Sequence, residues 1–122
     1  MRDETAVCRA GTPEDSAAIL DVMSKAFRFD ESHAKWPTCR QMAYEEPHTF
    51  RVVESSGRVV SVARIHREEL RVGRCAVVKG DVGHVSTHPD FQGRGFGSRL
   101  MRDSVRWMRE NGYDISRLGG LV

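Results

Sequence analysis

The stretch Gln92-Gly93-Arg94-Gly95-Phe96-Gly97 lies between a segment with the pattern of a strand and a segment with the pattern of a helix. Residues 81–89 before it predict a strand that ends at a proline, and residues 98–111 after it predict an amphipathic helix. Glycines let backbone N–H groups come close to a ligand because no Cβ blocks the approach. The start of a helix adds a partial positive charge at the same place. The unit therefore predicts a phosphate or pyrophosphate bound at residues 92–98.

Three kinds of glycine-rich phosphate loop can be compared with this turn. A Walker A loop needs lysine and then serine or threonine after its last glycine, but the sequence here is Gly97-Ser98-Arg99. The dinucleotide-binding turn needs Gly-x-Gly-x-x-Gly, which the spacing Gly93-x-Gly95-x-Gly97 does not match. The third pattern, Gln/Arg-x-x-Gly-x-Gly/Ala, is matched position for position from Gln92. The alternative is a plain tight turn before a helix, and the preceding strand sequence argues against it.

The third pattern resembles the coenzyme-binding segment of the GNAT superfamily of acetyl-coenzyme A dependent N-acyltransferases. The run from Val85 to Met101 is similar to that segment from end to end. More narrowly, His88-Pro89-Asp90 and Arg117-Leu118-Gly119-Gly120 resemble the two-domain branch of enhanced-intracellular-survival acetyltransferases. The resemblance implies an α+β fold of three layers, in which helices flank a mixed, mostly antiparallel central sheet.

The same resemblance implies where acetyl-CoA, the cosubstrate, would bind. The backbone of residues 85–87 is expected to pair with the pantetheine arm as an added strand would, and residues 92–98 are expected to hold the pyrophosphate. Arg94 is the expected side-chain contact near the phosphates, with a solvated arginine as the alternative. The implied coenzyme-binding residues are Val85, Ser86, Thr87, Gln92, Gly93, Arg94, Gly95, Phe96, Gly97 and Ser98.

The catalytic base is less sharply indicated than the coenzyme site. Acetyl transfer to an amine needs a group that removes a proton from nitrogen. In some histone-type relatives this is a glutamate on the central strand, and Asp81 stands at that position here. His84 is a second candidate because imidazole titrates near neutral pH. Both also have a structural interpretation, Asp81 as a turn residue and His84 as a partly buried strand residue.

Composition places the chain among single-domain proteins. It has 122 residues, of which 39% are hydrophobic and 30% are charged, so one N-acetyltransferase domain over residues 1–122 is expected. No apolar run of about 18 residues predicts a membrane span, and without an apolar leader segment the cytoplasm is the expected location. The net charge of +2 does not favour nucleic acid as a partner. The three cysteines and five histidines show no metal-ligand spacing, so buried free thiols and no metal are expected.

Several further expectations concern the elements along the chain. Residues 113–118 are expected to form a strand buried beside the central one, and residues 29–47 form either a wall of the acceptor site or a variable connector. The family's fold continues with another helix and strand, so the chain is expected to be the amino-terminal portion of a longer protein. Uncovered sheet edges would then allow homo-oligomers. The predicted helices are 12–28, 38–46 and 98–111, and the other predicted strands are 5–10, 49–54, 58–66 and 81–87, with a separate hairpin at 67–72 and 75–79.

Three functions are compatible with these observations. The favoured one is an N-acetyltransferase that moves the acetyl group of acetyl-CoA directly to a primary amine acceptor. The second is a non-catalytic, regulatory acyl-CoA-binding module. The third is an interaction protein in which the glycine turn is only structural.

Overall fold

Five strands and three α-helices make up the part of the chain that the computed structural model describes, residues 6–118. The predicted resemblance at Gly119-Gly120 lies outside these residues. Short 3-10 turns occur at Pro13–Asp15, Pro47–Thr49 and Pro89–Phe91. The elements are β1 (Val7–Ala10), α1 (Ser16–Phe27), α2 (Trp36–Glu45), β2 (Phe50–Ser55), β3 (Arg58–Val72), β4 (Cys75–Thr87), α3 (Phe96–Glu110) and β5 (Ile115–Leu118).

The strands form one sheet in the order β1-β2-β3-β4-β5. The first three pairings are antiparallel, and β5 lies parallel to β4, from which α3 crosses over. Adjacent residues of a strand point to opposite faces, so Val52 and Val53 pack into different cores. Helices α1 and α2 cover one face, and α3 covers the other. The three-layer arrangement with a mixed, mostly antiparallel sheet is confirmed.

The start of α1 is stabilised by a carboxylate at the end of the first turn. Asp15 accepts a hydrogen bond from the Thr12 N–H at 2.8 Å, and both of its oxygens accept from Arg9, at 2.6 and 3.0 Å. The hydrogen bond from Arg9 lowers the pKa of Asp15. Because residues 13–15 form a 3-10 turn, the α-helix begins later than the sequence predicts. Arg28, with φ of 58°, ends it.

The strands β3 and β4 form one long hairpin instead of two separate ones. Their pairing is continuous from Ser61↔Thr87 to Val72↔Cys75, apart from one bulge. The sequence predicts a strand at 58–66 and a separate hairpin at 67–72 and 75–79; the turn at Gly73-Arg74 lies as predicted, but β3 continues without a break through residues 67–69. β2 pairs with β3 only as far as Arg64, and β5 begins opposite Lys79. The outer part of this hairpin, residues 67–78, is called the hairpin arm below.

Burial on α3 and β5 differs from the predicted pattern. The spacing along residues 98–111 predicts a buried stripe of Leu100, Met101, Ser104, Val105, Trp107 and Met108. The buried face of α3 includes Asp103, whereas Val105 is 37% exposed. Asp103 is buried because both of its oxygens accept from Arg51, at 2.9 and 3.2 Å. The prediction of a buried β5 is wrong for the described residues, since all four of its residues are exposed. The prediction of buried thiols fails for Cys75, which is exposed, while Cys39 is buried.

None of the helices within residues 6–118 combines the length and the apolar character needed to cross a membrane.

Candidate functional site

A β-bulge interrupts β4 close to its end. Arg64 lies opposite Gly83 and Val62 lies opposite Ser86, so the single residue between them on β3 faces both His84 and Val85. His84 has φ of 52°, in the left-handed region that non-glycine residues seldom adopt. Bulges bend a strand, disrupt its ladder and often stand next to active sites. The sequence predicts a regular strand here, since it carries no strong signal for the bulge.

Beyond the bulge, one edge of β4 has no neighbour among residues 6–118. β5 pairs only with residues 79–82 of β4. The other edge is held firmly, because the Ser61 hydroxyl donates to the Ser86 carbonyl at 3.0 Å and lies 2.9 Å from Thr87 Oγ1. The predicted residues Val85, Ser86 and Thr87 therefore present an extended backbone edge that an amide-containing chain can pair with.

The turn that follows leads directly into α3. Gly93 and Gly95 have φ of 77° and 81°, and a Cβ at either position would meet no atom within 4 Å. Gly95 is the N-cap residue of α3, and no side chain caps the helix. The first backbone N–H groups of a helix have no intrahelical partner, and the first helical bond runs from the Arg99 N–H to the Gly95 carbonyl at 3.0 Å. Open space above glycines at an uncapped helix start fits an anionic ligand.

The side chains around the turn have distinct environments. Gln92 Nε2 donates to the Thr87 carbonyl at 3.2 Å, which ties the turn to β4. Phe96 is buried in the core, so only its backbone is available to a ligand. A Cβ at Gly97 would lie 3.6 Å from Thr87 Oγ1, so α3 starts close against β4. Ser98 is exposed.

Arg94 lies above an aromatic ring at the edge of the turn. Its guanidinium carbon is 5.2 Å from the centroid of Phe91, and that of Arg58 is 5.0 Å from the same centroid. Arg94 is exposed, so its charge can turn toward a ligand at the turn without leaving a buried site. The structure thus brings the predicted coenzyme-binding residues together from the edge of β4 to the start of α3, with the side chains of Ser86 and Phe96 buried.

A basic groove of about 940 Å³ opens beside this surface, between β1 and α3. It starts at Arg94 and Gly95. The acidic residue in its wall is Asp103, which is already ion-paired with Arg51. The groove therefore adds positive potential next to the turn. The arginines that line it are Arg94, Arg99, Arg102 and Arg106.

The two predicted catalytic residues lie on β4, on either side of the point where β5 ends. Asp81 is half-buried within the strand, opposite His66, and its Oδ1 is 3.2 Å from Lys79 Nζ. It is therefore a paired strand carboxylate and not a turn residue. His84 lies three positions further along, at the bulge itself. The structure does not bring Asp81 to the bulge.

The imidazole of His84 is in the neutral form that a general base needs. The residue is exposed at the surface, but desolvation by the groups packed around the imidazole lowers the pKa of His84 below 6.5, and the cations Arg64 and Lys35 lower it further. The ring is therefore neutral at pH 7 and able to accept a proton. Lys35 belongs to the connection between α1 and α2, the segment predicted as either a wall of the acceptor site or a variable connector.

His88 is a positioning residue that sequence reasoning did not find. It is buried, and its Nδ1 accepts a hydrogen bond from the Asp90 N–H at 3.1 Å. Its Nε2 lies 3.3 Å from Arg58 Nη2 on β3 and 3.9 Å from the carboxylate of Asp21 on α1. His88 thus lies where the turn, β3 and α1 come together. The signal available in the sequence was the motif His88-Pro89-Asp90.

Comparison with known proteins identifies the kind of domain that carries this surface. A family model described as the acetyltransferase (GNAT) domain matches residues 7–120. The chain belongs to the GNAT acetyltransferase family. This membership confirms the resemblance found in the sequence and makes the chain an acyltransferase domain. No curated protein matches the chain, and residues 6–118 contain no cluster of side chains able to hold a metal ion.

Solved GNAT structures share the fold. A GCN5-related N-acetyltransferase from Kribbella flavida has a TM-score of 0.75 and 29% identity, over 91% of this chain and 29% of its own. A GNAT family acetyltransferase from Brucella melitensis, in complex with acetyl-CoA, has a TM-score of 0.74 and 25% identity, over 96% of this chain and 77% of its own. A GCN5-related N-acetyltransferase from Anabaena variabilis has a TM-score of 0.76 and 15% identity, over 91% of this chain and 28% of its own. The chain thus spans less than a third of the Kribbella and Anabaena proteins.

Proposed function

We propose that this GNAT domain is an N-acetyltransferase that moves the acetyl group of acetyl-CoA directly to a primary amine. The observation that carries the proposal is the uncapped start of α3 behind Gly93 and Gly95, next to the open edge of β4. Acetyl-CoA has a diphosphate and an amide-containing arm, and these two features of the chain match those two groups. The acetyl-CoA complex of the Brucella melitensis relative supports the same cosubstrate.

The proposed binding mode assigns each part of the cosubstrate to a part of the surface. The backbone N–H groups at the start of α3 donate to the diphosphate, which the helix dipole and Arg94 also attract. The amides of the pantetheine arm pair with residues 85–87 as an added strand. This arrangement directs the thioester along β4 toward the bulge at His84, where the acceptor amine arrives.

The reaction needs a base at the acceptor and a proton for the leaving group. The amine nitrogen attacks the thioester carbonyl carbon, the C–N bond forms as the C–S bond breaks, and the departing thiolate takes up a proton. We assign the removal of the amine proton to His84, because its imidazole is neutral and lies at the bulge. Asp81 is the weaker candidate, since its carboxylate forms an ion pair with Lys79. Holding both reactants in place supplies a further part of the rate.

A non-catalytic acyl-CoA-binding module is the second candidate function. The ion pair between Asp81 and Lys79 favours it. Asp81 stands at the position where some relatives have their base, and here its carboxylate is engaged by Lys79. The module would bind acetyl-CoA through the same surface. It would release no thiol with any amine.

Calorimetric titration with acetyl-CoA, together with a thiol-release assay over a panel of primary amines, tests both candidates. Gly95→Asp adds bulk and a like charge beside the diphosphate, and we expect it to abolish binding and turnover. Gly112→Asp is the matched control, because Gly112 has φ of 79° and equally open space at the other end of α3. Unchanged acetyl-CoA affinity in Gly95→Asp would overturn the assignment, and tight binding without turnover would favour the module.

A further inference from the structure

The hairpin arm exposes a strand edge that has no neighbour within residues 6–118. β2 accompanies β3 only to Arg64, whereas β3 continues to Val72 and pairs there with β4 alone. Every residue from 66 to 72 is exposed except Leu70, which is half-buried. An open edge of this length presents unpaired backbone groups to another strand.

The turn at the tip determines which backbone groups point outward. Gly73-Arg74 is a two-residue loop, and Gly73 has the positive φ, 62°, that such loops need. In such a hairpin the flanking pair Val72↔Cys75 exchanges hydrogen bonds, and hydrogen-bonded and non-hydrogen-bonded pairs alternate from there. Leu70 is therefore bonded to β4. The N–H and C=O groups that face away from β4 belong to Arg67, Glu69 and Arg71.

We propose that this edge pairs antiparallel with the same edge of a second copy of the chain, around a two-fold axis at Leu70. Glu69 of each copy then lies opposite Arg71 of the other, and these two residues supply the outward N–H and C=O groups that the new ladder needs. The opposite charges are brought together twice by the symmetry. Cross-strand pairs of opposite charge stabilise a sheet, and like charges oppose pairing.

The charge pattern selects this register among the alternatives. An axis at Arg67, Glu68, Glu69 or Arg71 would place a charged residue against its own copy. An axis at Leu70 or Val72 places an apolar residue there instead, and of these two only the axis at Leu70 sets Glu69 opposite Arg71. Glu69 is also 2.9 Å from Arg67 of its own chain, so its carboxylate would lie between two cations.

One face of the arm carries apolar residues on both of its strands. Alternation along the strands places Leu70 and Val72 of β3 on one face with Val77 and Cys75, which lie opposite them on β4. Val72 is 64% exposed in the single chain. Pairing two arms joins Leu70 and Val77 of both copies into an apolar strip across four strands, and it places Val72 beside this strip, opposite Glu68 of the other copy. The paired segment, residues 67–73, ends before Arg64, so β2 does not block it.

Sedimentation velocity over a concentration series tests the proposal, with the charge-exchanged double variant as the decisive sample. We expect a dimer of the unaltered chain. Glu69→Arg and Arg71→Glu should each raise the dimer dissociation constant about tenfold or more, because each places like charges opposite one another twice. The double variant Glu69→Arg/Arg71→Glu restores opposite charges and should return to within about threefold of the unaltered chain.

Glu45→Arg serves as the control for net charge, because Glu45 is exposed on α2 and lies outside the arm. Circular dichroism confirms that every variant is folded. A monomer at all concentrations of the unaltered chain would overturn the proposal. Dimers that neither single variant weakens, or that the double variant does not restore, would overturn it as well.

Discussion

His84 combines a side chain with an altered pKa and a backbone in a rare conformation. The left-handed φ of 52° arises because β4 has one more residue than β3 at the bulge. Such strain persists only where the surrounding structure holds it, and it is frequent at functional sites. The bulge thus places the imidazole just beyond the residues of β4 that pair with β5 in the described part of the chain, residues 79–82. These two properties make His84 the residue on which the proposed chemistry depends.

Replacing His84 by asparagine should lower kcat about 10²-fold or more, because a positioned general base contributes that much. Asparagine tolerates the left-handed conformation, so the affinity for acetyl-CoA should be retained. The base acts when it is deprotonated and its pKa is lowered below 6.5. Activity of the unaltered chain should therefore fall only as the pH drops below that value, and this acidic limb should disappear in the variant.

Thiol release measured against pH, with calorimetry for acetyl-CoA, checks this prediction. His66→Asn is the control, since His66 is exposed on β3 and lies opposite Asp81. A His84→Asn variant that keeps kcat within about twofold, with its acidic limb intact, would exclude His84 as the base. Asp81→Asn would then be the next variant to test.

For single residues, the sequence predicts features that depend on neighbours along the chain, and it does not predict features that depend on residues brought near only by folding. The turn at Gly93 and Gly95 was predictable, because glycines just before a helix pattern indicate a backbone with positive φ angles. The bulge at His84 was not, since it depends on a mismatch in length between two strands. The role of His88 was not predictable either, because Asp21 comes near it only in the folded chain.

At the scale of elements, α3 buries a charged residue that its apolar spacing does not predict. The apolar spacing predicted Val105 on the buried face and gave no sign of Asp103. The structure reverses this, because Arg51 on β2 reaches Asp103 with a two-point ion pair. Arg51 also lies 5.5 Å above the ring of Trp107. An amphipathic pattern finds a helix well, but it cannot reveal a charge partner from a strand far away in the sequence.

Asp103→Ala should lower the free energy of unfolding by about 3–5 kcal/mol, because it leaves the Arg51 guanidinium largely buried without its partner. The two side chains are only 12% and 5% exposed. The double variant Arg51→Met/Asp103→Leu removes both charges and should lie within about 1 kcal/mol of the unaltered chain.

Urea denaturation measures these differences, and Arg106→Ala is the control. Arg106 contacts the same carboxylate, but its side chain is 70% exposed, so its loss should cost no more than about 0.5 kcal/mol. An Asp103→Ala variant as stable as Arg106→Ala would show that the buried pair does not stabilise the attachment of α3 to the sheet.

At the scale of the whole molecule, the order of the elements and the mixed sheet were predictable by resemblance, because one motif places β4, the turn and α3 together. The turn of the hairpin arm at Gly73-Arg74 was predictable as well, but the continuity of the arm with the inner parts of β3 and β4 was not. The proposed coenzyme surface also belongs to this scale. It joins the sheet at β4 to the helix layer at α3, so a ligand bound there would hold the two layers together.

Acetyl-CoA should therefore stabilise the whole domain and not only the turn. A ligand that binds only the folded chain, at 100 times its dissociation constant, adds about 2.7 kcal/mol to the free energy of unfolding. For a chain of this length that corresponds to a rise in Tm of about 10 °C, measurable by calorimetry. The rise should shrink with added salt, because the diphosphate contact is electrostatic. Gly95→Asp should remove the rise and Gly112→Asp should retain it; an equal rise in both would place the coenzyme elsewhere on the molecule.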